Sequence, residues 1–257
     1  MTSIVRTAMR IIFLIFIILL TFQSCSGNKA DDVPQTLAEL SGKKVGVQTG
    51  TLYEQALLEK CPDVKLEFYS DFNTMIIATS QGKLDAYLSE SHTFKLEQSN
   101  YPGLEAIPES IGIVENGIAF GNTPNKNLLL KQINEFIKKY QTDGTSEEMQ
   151  TYWFDEFDMD RCKADKSGIT GENGLLRVAM ESGYIPISYS IAEGYQGYDV
   201  DFIYRFCREY GYAPDFTEMV YEAIPAALMS GKYDIGTNIL KEEERENTLL
   251  FSDTYMQ

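Results

Sequence analysis

The 257-residue chain is long enough for one large domain or for two lobes of about 100 residues each. Hydrophobic residues make up 44% of it, and 38 acidic residues outweigh 22 basic ones, for a net charge of -16. This balance argues against a nucleic-acid partner, because phosphate backbones are bound by basic surfaces. We interpret the acidity as the surface of an exported protein.

The N-terminal residues predict a targeting segment. Two arginines precede an apolar run at residues 11–22, which has the length of a signal-peptide core and is short for a bilayer span. Cys25 follows in a Ser-Cys-Ser-Gly context that resembles the bacterial lipobox. We predict a lipoprotein signal peptide at residues 1–25, lipidation of Cys25 and a polar tether at residues 26–36; a plain signal peptide is the alternative.

Two β-α-β-α-β patterns follow, and they predict an α/β fold with mostly parallel sheets joined by right-handed crossovers. The first comprises strand Lys44–Gln48, helix Leu52–Lys60, strand Val64–Tyr69, helix Phe72–Gln81 and strand Leu84–Leu88. The second comprises strand Leu176–Met180, helix Asp199–Tyr210, strand Ala213–Met219, helix Tyr221–Ser230 and strand Tyr233–Thr237.

The region between the two patterns predicts further strands and two helices. Residues 111–113 and 117–120 are apolar and strand-like, and Asn127–Tyr140 has one apolar helical face. A second helix is predicted at Glu147–Phe154, and the charged residues 161–173 are predicted to be a linker.

Four motifs in the last third of the chain carry a specific resemblance. They are Leu175–Pro186, Gly197–Asp201, Ser230–Ile235 and Phe251–Asp253, in this order. At these residues the chain resembles solute-binding protein family 3 of bacterial ABC importers, whose two-lobed receptors capture polar amino acids. The resemblance implies a two-lobed periplasmic-binding-protein-like fold of type II.

The order of the pieces differs from that family. There, a lobe like residues 174–257 comes first, a lobe like residues 37–120 is inserted, and helices like those at residues 121–160 return to the first lobe. We call these lobe one (with its return helices) and lobe two. Either the chain is a circular permutation that still forms one receptor, or it is a cut tandem chain; we favour the tandem chain.

An anion site is predicted at Thr49, Gly50 and Thr51, because glycine lets the backbone approach a ligand and the amides of the following helix favour a carboxylate. Arg245 is the best candidate for a charged side chain that binds the ligand, since a guanidinium holds a carboxylate through two parallel hydrogen bonds. It also matches the arginine that holds the ligand carboxylate in the family.

The resemblance implies further roles for six side chains. Thr237 and Asn238 match an assisting polar pair, and Glu90 and Glu181 stand where the family carries aspartates for the ligand's positive groups. Tyr184 and Tyr221 occupy the positions of aromatic walls that stack on a ligand.

Catalysis has little material in this sequence. His92 is the one histidine, which excludes a multi-histidine metal site, and we expect it to lie exposed in a loop. No phosphate-binding loop is present, and we predict no cofactor, no metal and no enzymatic activity. Cys61, Cys162 and Cys207 are either buried thiols or include one bridged pair.

The sequence therefore predicts a lipid-anchored solute-binding protein in the periplasm or at the cell surface, with an amino acid as ligand, an ABC permease as a possible partner and no nucleic-acid partner. Two alternatives stay open. One is a sensor module of a larger signalling or peptidoglycan-cleaving protein; the other is a dehydratase of this fold that acts on prephenate-like acids.

Overall fold

The computed structural model describes residues 33–113, 115–241 and 243–256, with only the backbone of Glu243 and Glu244. Residues 35–257 form one compact unit, and a second unit, residues 1–34, is described only at Val33 and Pro34. The predicted signal peptide, Cys25 and most of the predicted tether lie outside the described residues. Among the described helices, none combines the length and the apolar character that crossing a membrane requires.

The described residues alternate between strands and helices. The strands are β1 Lys44–Gln48, β2 Lys65–Tyr69, β3 Ala86–Tyr87, β4 Asn116–Phe120, β5 Leu175–Met180, β6 Tyr189–Ile191, β7 Gly194–Gln196, β8 Ala213–Glu218, β9 Ile235–Leu240 and β10 Leu250–Phe251. The α-helices are α1 Tyr53–Lys60, α2 Phe72–Ser80, α3 Ser91–Asn100, α4 Lys126–Thr142, α5 Thr145–Gln150, α6 Tyr198–Tyr210, α7 Ile224–Met229 and α8 Glu243–Glu246. Short 3-10 turns lie at Leu37–Leu40 and Tyr221–Ala223, and Thr151–Asp155 is π-helical.

Lobe two, residues 35–113, is built on a parallel three-stranded sheet in the order β2-β1-β3. Helices cover β1 on both faces. Leu57 of α1 packs with Val45 in one apolar cluster, and Met75 of α2 lies so close to Gly46 that a Cβ there would come within 2.7 Å of it. The sheet therefore needs glycine at this position to seat α2.

Lobe one, residues 116–256, is built on a five-stranded sheet in the order β10-β4-β9-β5-β8. β5 runs parallel to β8 and β9, whereas β4 pairs antiparallel with β9 and β10. β6 and β7 form a separate hairpin. The α/β fold class predicted from the sequence is confirmed, although the larger sheet is mixed rather than purely parallel.

The strand predicted at residues 117–120 pairs differently from its assignment to lobe two. It is β4, and it lies inside the five-stranded sheet, paired with β9 and β10. All five residues of β4 are buried, so it needs neighbours on both edges and cover on both faces, which this sheet provides. The apolar residues 111–113 form no strand, and Ile113 is 91% exposed.

The helices before the linker pack on lobe one through aromatic rings. Phe136 of α4 contacts Phe202 of α6 with ring centroids 5.2 Å apart, and the Tyr140 hydroxyl lies 2.5 Å from that of Tyr198. Trp153 in the π-helical turn donates its indole N–H to Asp201 over 3.1 Å. These contacts join elements from both sides of the linker in one core.

Helix α3 was not predicted, and the expectation that His92 lies exposed in a loop is wrong. His92 is on α3 with its side chain 17% exposed, and its ring lies 4.8 Å from that of Phe154. The fully buried positions of α3 are Thr93 and Glu97, which are polar. The helix therefore lacks the apolar periodicity by which a helix is recognised in a sequence. Cys61, Cys162 and Cys207 are free and buried.

We predict that ionisation of Asp199 makes the stability of the fold depend on pH. Burial raises the pKa of this carboxyl from 3.8 to about 7, although the Tyr255 hydroxyl donates to it. The unfolded chain then loses this proton at lower pH than the folded one, so the free energy of unfolding should fall as pH rises from 4 to 7. The slope contributed is about 1.4 kcal/mol per pH unit at most.

Urea unfolding at pH 5 and pH 7 measures this. Asp199→Asn keeps an acceptor oxygen for Tyr255 and cannot ionise, so it should lose about half as much stability between the two pH values as the wild type; the rest comes from Glu181, whose pKa burial also raises. Asp215→Asn, at an exposed position of β8, is the control and should behave like the wild type. Equal pH slopes in all three proteins would contradict the prediction.

We also predict that Gly50 is required where the two lobes meet. Its φ is +85°, and a Cβ would lie 2.8 Å from Cβ of Glu222 in lobe one. Gly50→Ala should therefore lower the free energy of unfolding by about 1–3 kcal/mol beyond the cost of the positive φ. Gly144→Ala is the matched control, since its φ is +89° and no atom lies within 4 Å. Equal losses in the two variants would show that the contact with Glu222 is unimportant.

Candidate functional site

The candidate site lies where strands of the two lobes end. The chain leaves β1 and β3 of lobe two through Thr49–Thr51 and Glu90, and it leaves β5 of lobe one through Glu181 and Tyr184. In open α/β sheets, ligands bind beyond the carboxyl ends of the strands, where polar side chains and backbone groups converge. Hydrogen bonds between these segments show that the two sets of strand ends face each other.

Arg245 connects the two lobes at this site. Its guanidinium donates to the backbone carbonyl of Gly50, to the Tyr221 hydroxyl at 3.0 Å and to the carbonyl of Leu240 at 3.3 Å. Its Cζ also lies 5.5 Å from the centre of the Tyr221 ring. Arg245, Gly50 and Tyr221, three of the predicted site residues, are therefore in direct contact.

The turn after β1 is already partly used by its own backbone. The backbone N–H of Thr49 donates to the carbonyl of Tyr69 over 2.8 Å, and the backbone N–H of Thr51 donates to the carbonyl of Gln48 over 3.3 Å. The Thr51 hydroxyl also donates to the carbonyl of Gln48. Two of the three backbone N–H groups that were predicted to bind an anion therefore already donate to backbone carbonyls of lobe two. The turn presents its Gly50 carbonyl to Arg245, where a ligand carboxylate would have to compete as the acceptor.

Glu181 is a buried carboxyl bound across the two lobes. Gln48 of lobe two donates its side-chain amide to Glu181 Oε1 over 2.5 Å, and Glu181 is 9% exposed. Burial raises the pKa of Glu181 to about 8, an effect that the charge of Asp71 increases and the Gln48 hydrogen bond opposes. At neutral pH this side chain therefore carries a proton for most of the time.

Tyr184 is enclosed by lobe two. Its ring lies 4.4 Å from that of Phe72, and its hydroxyl lies 3.3 Å from the hydroxyl of Thr93 on α3. Asn73 donates to the carbonyl of Gly183 next to it. The predicted aromatic wall is thus a point of contact between the lobes. Burial raises the pKa of Tyr184 well above its ordinary value, so its hydroxyl keeps its proton.

Glu90 receives a hydrogen bond of 2.7 Å from the Tyr53 hydroxyl and is 8% exposed. His92 Nε2 lies 3.1 Å from Glu90 Oε2, a distance typical of an ion pair, yet the two atoms are not aligned as a hydrogen bond. Burial lowers the pKa of His92, which the charges of Glu90 and Glu97 oppose. The ring is therefore mostly neutral at pH 7 and leaves the charge of Glu90 largely uncompensated.

Thr237 and Asn238 lie within β9 at an irregularity in its pairing with β4. Thr237 is 2% exposed and its hydroxyl faces the Asp199 carboxyl, so it is directed into lobe one. Asn238 has a φ of +52°, and its side-chain oxygen is buried without a hydrogen-bond partner among the described residues. Of the predicted polar pair, Asn238 is the one with an acceptor to offer.

The side chains of Gln48, Tyr53, Asn73 and Thr93 bind predicted site residues, and of these only Gln48 adjoins a segment that the sequence marked as part of the site. A polar residue ending an otherwise apolar buried strand was a usable signal for Gln48. The other three lie on helices, where neither motif nor spacing marks them. Among the described residues, no group of three or more His, Cys, Asp or Glu side chains is arranged to hold a metal ion.

Comparisons with known proteins find similarity to bacterial solute-binding proteins over part of the chain. The family model "Bacterial extracellular solute-binding proteins, family 3" matches residues 176–257. The chain is 23% identical over 126 residues to the ABC transporter arginine-binding protein 1 of Escherichia coli, covering 48% of this chain and 52% of that protein. It is 32% identical over 123 residues to the L-cystine-binding protein TcyJ of Escherichia coli, covering 47% of this chain and 45% of that protein.

A crystal structure of an ancestral cyclohexadienyl dehydratase is 31% identical, with a TM-score of 0.31, over 33% of this chain and 36% of that one. The chain spans about half the length of the curated relatives that it matches. The residues that the family model matches, 176–257, contain α6, β8, β9, β10 and most of β5. In this part the chain is similar to the bacterial extracellular solute-binding proteins, family 3.

Proposed function

We propose that the protein captures an amino acid between its two lobes by hinge closure and delivers it to an ABC importer. The observation that carries this proposal is that Arg245 of lobe one binds Gly50 of lobe two, while the buried carboxyl of Glu181 is bound across the same junction by Gln48. The buried Glu90 lies in lobe two, after β3 and next to Tyr53. Similarity to amino-acid-binding proteins of ABC transporters supports it.

The signs of these charges suit a zwitterion. Arg245 has a fork of N–H donors that can bind a carboxylate in place of the Gly50 carbonyl. Glu90 and Glu181 would pair with the positive groups of the ligand, and the acceptor oxygen of Asn238 offers a further contact. The Tyr221 ring lies 5.5 Å from Cζ of Arg245, and Tyr184 lies at the junction against Phe72. Thr49 and Thr51 flank Gly50 in the turn that presents its carbonyl to Arg245. Thr237 contributes indirectly, because its hydroxyl faces the Asp199 carboxyl.

The lobe arrangement supports a permuted receptor. The sheet of lobe one combines β4, which precedes the linker, with β5, β8, β9 and β10, which follow it. Closure of such lobes on a ligand is a hinge motion, and the contacts between lobes described above would form on closing. The lipid anchor at Cys25, an extracytoplasmic location and the permease partner are proposed from the sequence and from the family.

A second candidate, dehydration of a prephenate-like acid, has one observation in its favour. Glu181 holds a proton at neutral pH, as a general acid must. The junction nevertheless contains several carboxyls and a single arginine, which suits a zwitterionic or cationic ligand better than a dianion. Turnover of such an acid by the purified protein would favour the enzyme; amino-acid binding without turnover favours the receptor.

We predict that Arg245→Ala abolishes most amino-acid binding. Removing one partner of a buried, charged hydrogen bond to the ligand should weaken affinity by about 2–5 kcal/mol. Thermal unfolding with a panel of amino acids identifies the ligand, since a ligand at about 100 times its Kd stabilises the folded state by about 2.7 kcal/mol. Calorimetric titration of that ligand then compares the variants.

Arg161→Ala is the matched control, because Arg161 is 75% exposed and pairs only with the surface residue Asp158 over 3.2 Å. It should bind like the wild type. If Arg245→Ala kept wild-type affinity, the carboxylate site would be misplaced. If no amino acid shifted the unfolding of the wild type, the proposed function itself would fail.

We further predict that affinity for a cationic amino acid rises with pH. A positive group binds the ionised form of Glu181, whose pKa burial raises to about 8. Binding below that pH must release the proton, so affinity should fall by about tenfold per pH unit from pH 8 to pH 6.5. Glu181→Gln should bind more weakly at pH 9 and lose this dependence on pH. A pH-independent wild type would rule out contact between Glu181 and the positive group.

A further inference from the structure

A buried carboxyl on α3 lies behind the candidate site. Glu97 is 4% exposed and accepts hydrogen bonds from three hydroxyl groups of lobe two. The Thr93 hydroxyl donates over 2.6 Å, the Tyr87 hydroxyl over 2.6 Å and the Ser89 hydroxyl over 2.7 Å. Burying a carboxylate is costly, and this one is compensated by a complete set of neutral donors. Such a group fixes the direction of every hydroxyl around it.

Thr93 is the member of this cluster that reaches lobe one. Its hydroxyl has one hydrogen, which donates to Glu97 at 2.6 Å or to the backbone carbonyl of Glu90 at 3.0 Å, both in lobe two. The Ser89 hydroxyl, 3.3 Å from that of Thr93, donates its own hydrogen to Glu97. In either case Thr93 has only lone pairs to offer to Tyr184, 3.3 Å away. Tyr184 must therefore donate the hydrogen bond that joins the two lobes at this point.

We propose that Thr93, oriented by Glu97, is a positioning residue that latches the closed arrangement of the lobes by accepting a hydrogen bond from Tyr184. The cluster belongs to lobe two alone, so it is present before closure, and its acceptor is ready when Tyr184 arrives. Phe72, with its ring 4.4 Å from that of Tyr184, holds the tyrosine in place laterally. The inference rests on the proposed hinge closure and is independent of which ligand is bound.

The hydrogen bond between Tyr184 and Thr93 affects the equilibrium between open and closed lobes in a way that contacts with a ligand do not. It stabilises closure in the absence of any ligand, so it sets the fraction of closed molecules from which ligand must be released. Losing one hydrogen bond of ordinary net strength should raise the ratio of open to closed molecules by about fivefold.

The test is energy transfer between two fluorophores on the ligand-free, full-length chain. Glu59 on α1 and Asp215 on β8 are exposed positions on the two lobes and suit site-specific labelling with unnatural amino acids. Thr93→Val has the same shape and no acceptor, so its transfer efficiency should shift toward the open value. Thr93→Ser retains the hydroxyl and should restore the wild-type value.

Two further variants separate latching from general damage. Tyr87→Phe removes a hydroxyl from Glu97 and leaves the Thr93–Tyr184 contact in place, so it should remain as closed as the wild type. Tyr184→Phe removes the other half of the contact. Combining Tyr184→Phe with Thr93→Val should open the lobes no further than either change alone, since both remove one bond.

Two outcomes would overturn the proposal: a wild-type distribution in Thr93→Val, or full additivity in the double variant. Circular dichroism of each variant verifies that it is folded before its transfer efficiency is compared. Amino-acid binding is measured separately, so a failed latch with intact binding, or an intact latch without binding, can be told apart. In the first case the proposed function stands without this latch, and in the second the latch serves another ligand.

Discussion

The candidate site depends on the hydrogen bonds by which lobe two binds one turn of lobe one. The turn at Glu181–Tyr184 follows β5 and is reached by Gln48 from β1, by Asn73 from α2 and by Thr93 from α3. Three separate elements of lobe two thus bind three of these four consecutive residues of lobe one, Glu181, Gly183 and Tyr184. Any movement between the lobes has to break or form these contacts together, because rigid helices and strands carry them.

Buried carboxyls without a basic partner characterise this protein. Glu97, Glu181 and Asp199 are all buried, and among the described residues each receives its hydrogen bonds from hydroxyl or amide donors. For Glu181 and Asp199 burial raises the pKa toward neutrality. Glu97 is surrounded by hydroxyl donors inside lobe two, whereas Glu181 lies at the junction with one amide donor. The same carboxyl chemistry thus lies inside one lobe at Glu97 and between the two lobes at Glu181.

Both lobes contain the β-α-β-α-β pattern, but their sheets differ in the number and direction of strands. In lobe one, β4 and β10 extend the sheet beyond β9 in antiparallel pairing, so the central strands are buried on both edges. In lobe two the described sheet has three strands, and its α1 and α2 cover both faces of β1. The lobe with the larger sheet carries Arg245 and Glu181, and the smaller one carries the turn that meets them and the hydroxyl cluster around Glu97.

The sequence by itself determined the α/β class, both β-α-β-α-β units and the main helices, because apolar residues with period two or 3.6 signal which face of an element is buried. It also predicted Arg245, Gly50, Glu181 and Tyr184 as site residues, the last two through the family resemblance, and the structure brings these four to the junction of the lobes. Helix α3 was not predicted because its buried positions, Thr93 and Glu97, are polar. Only the tertiary structure decided that β4 joins lobe one, that Gly50 offers a carbonyl to Arg245 and that Thr93 meets Tyr184. These are pairings between residues far apart in the chain, and each depends on the packing of whole elements rather than on any local pattern.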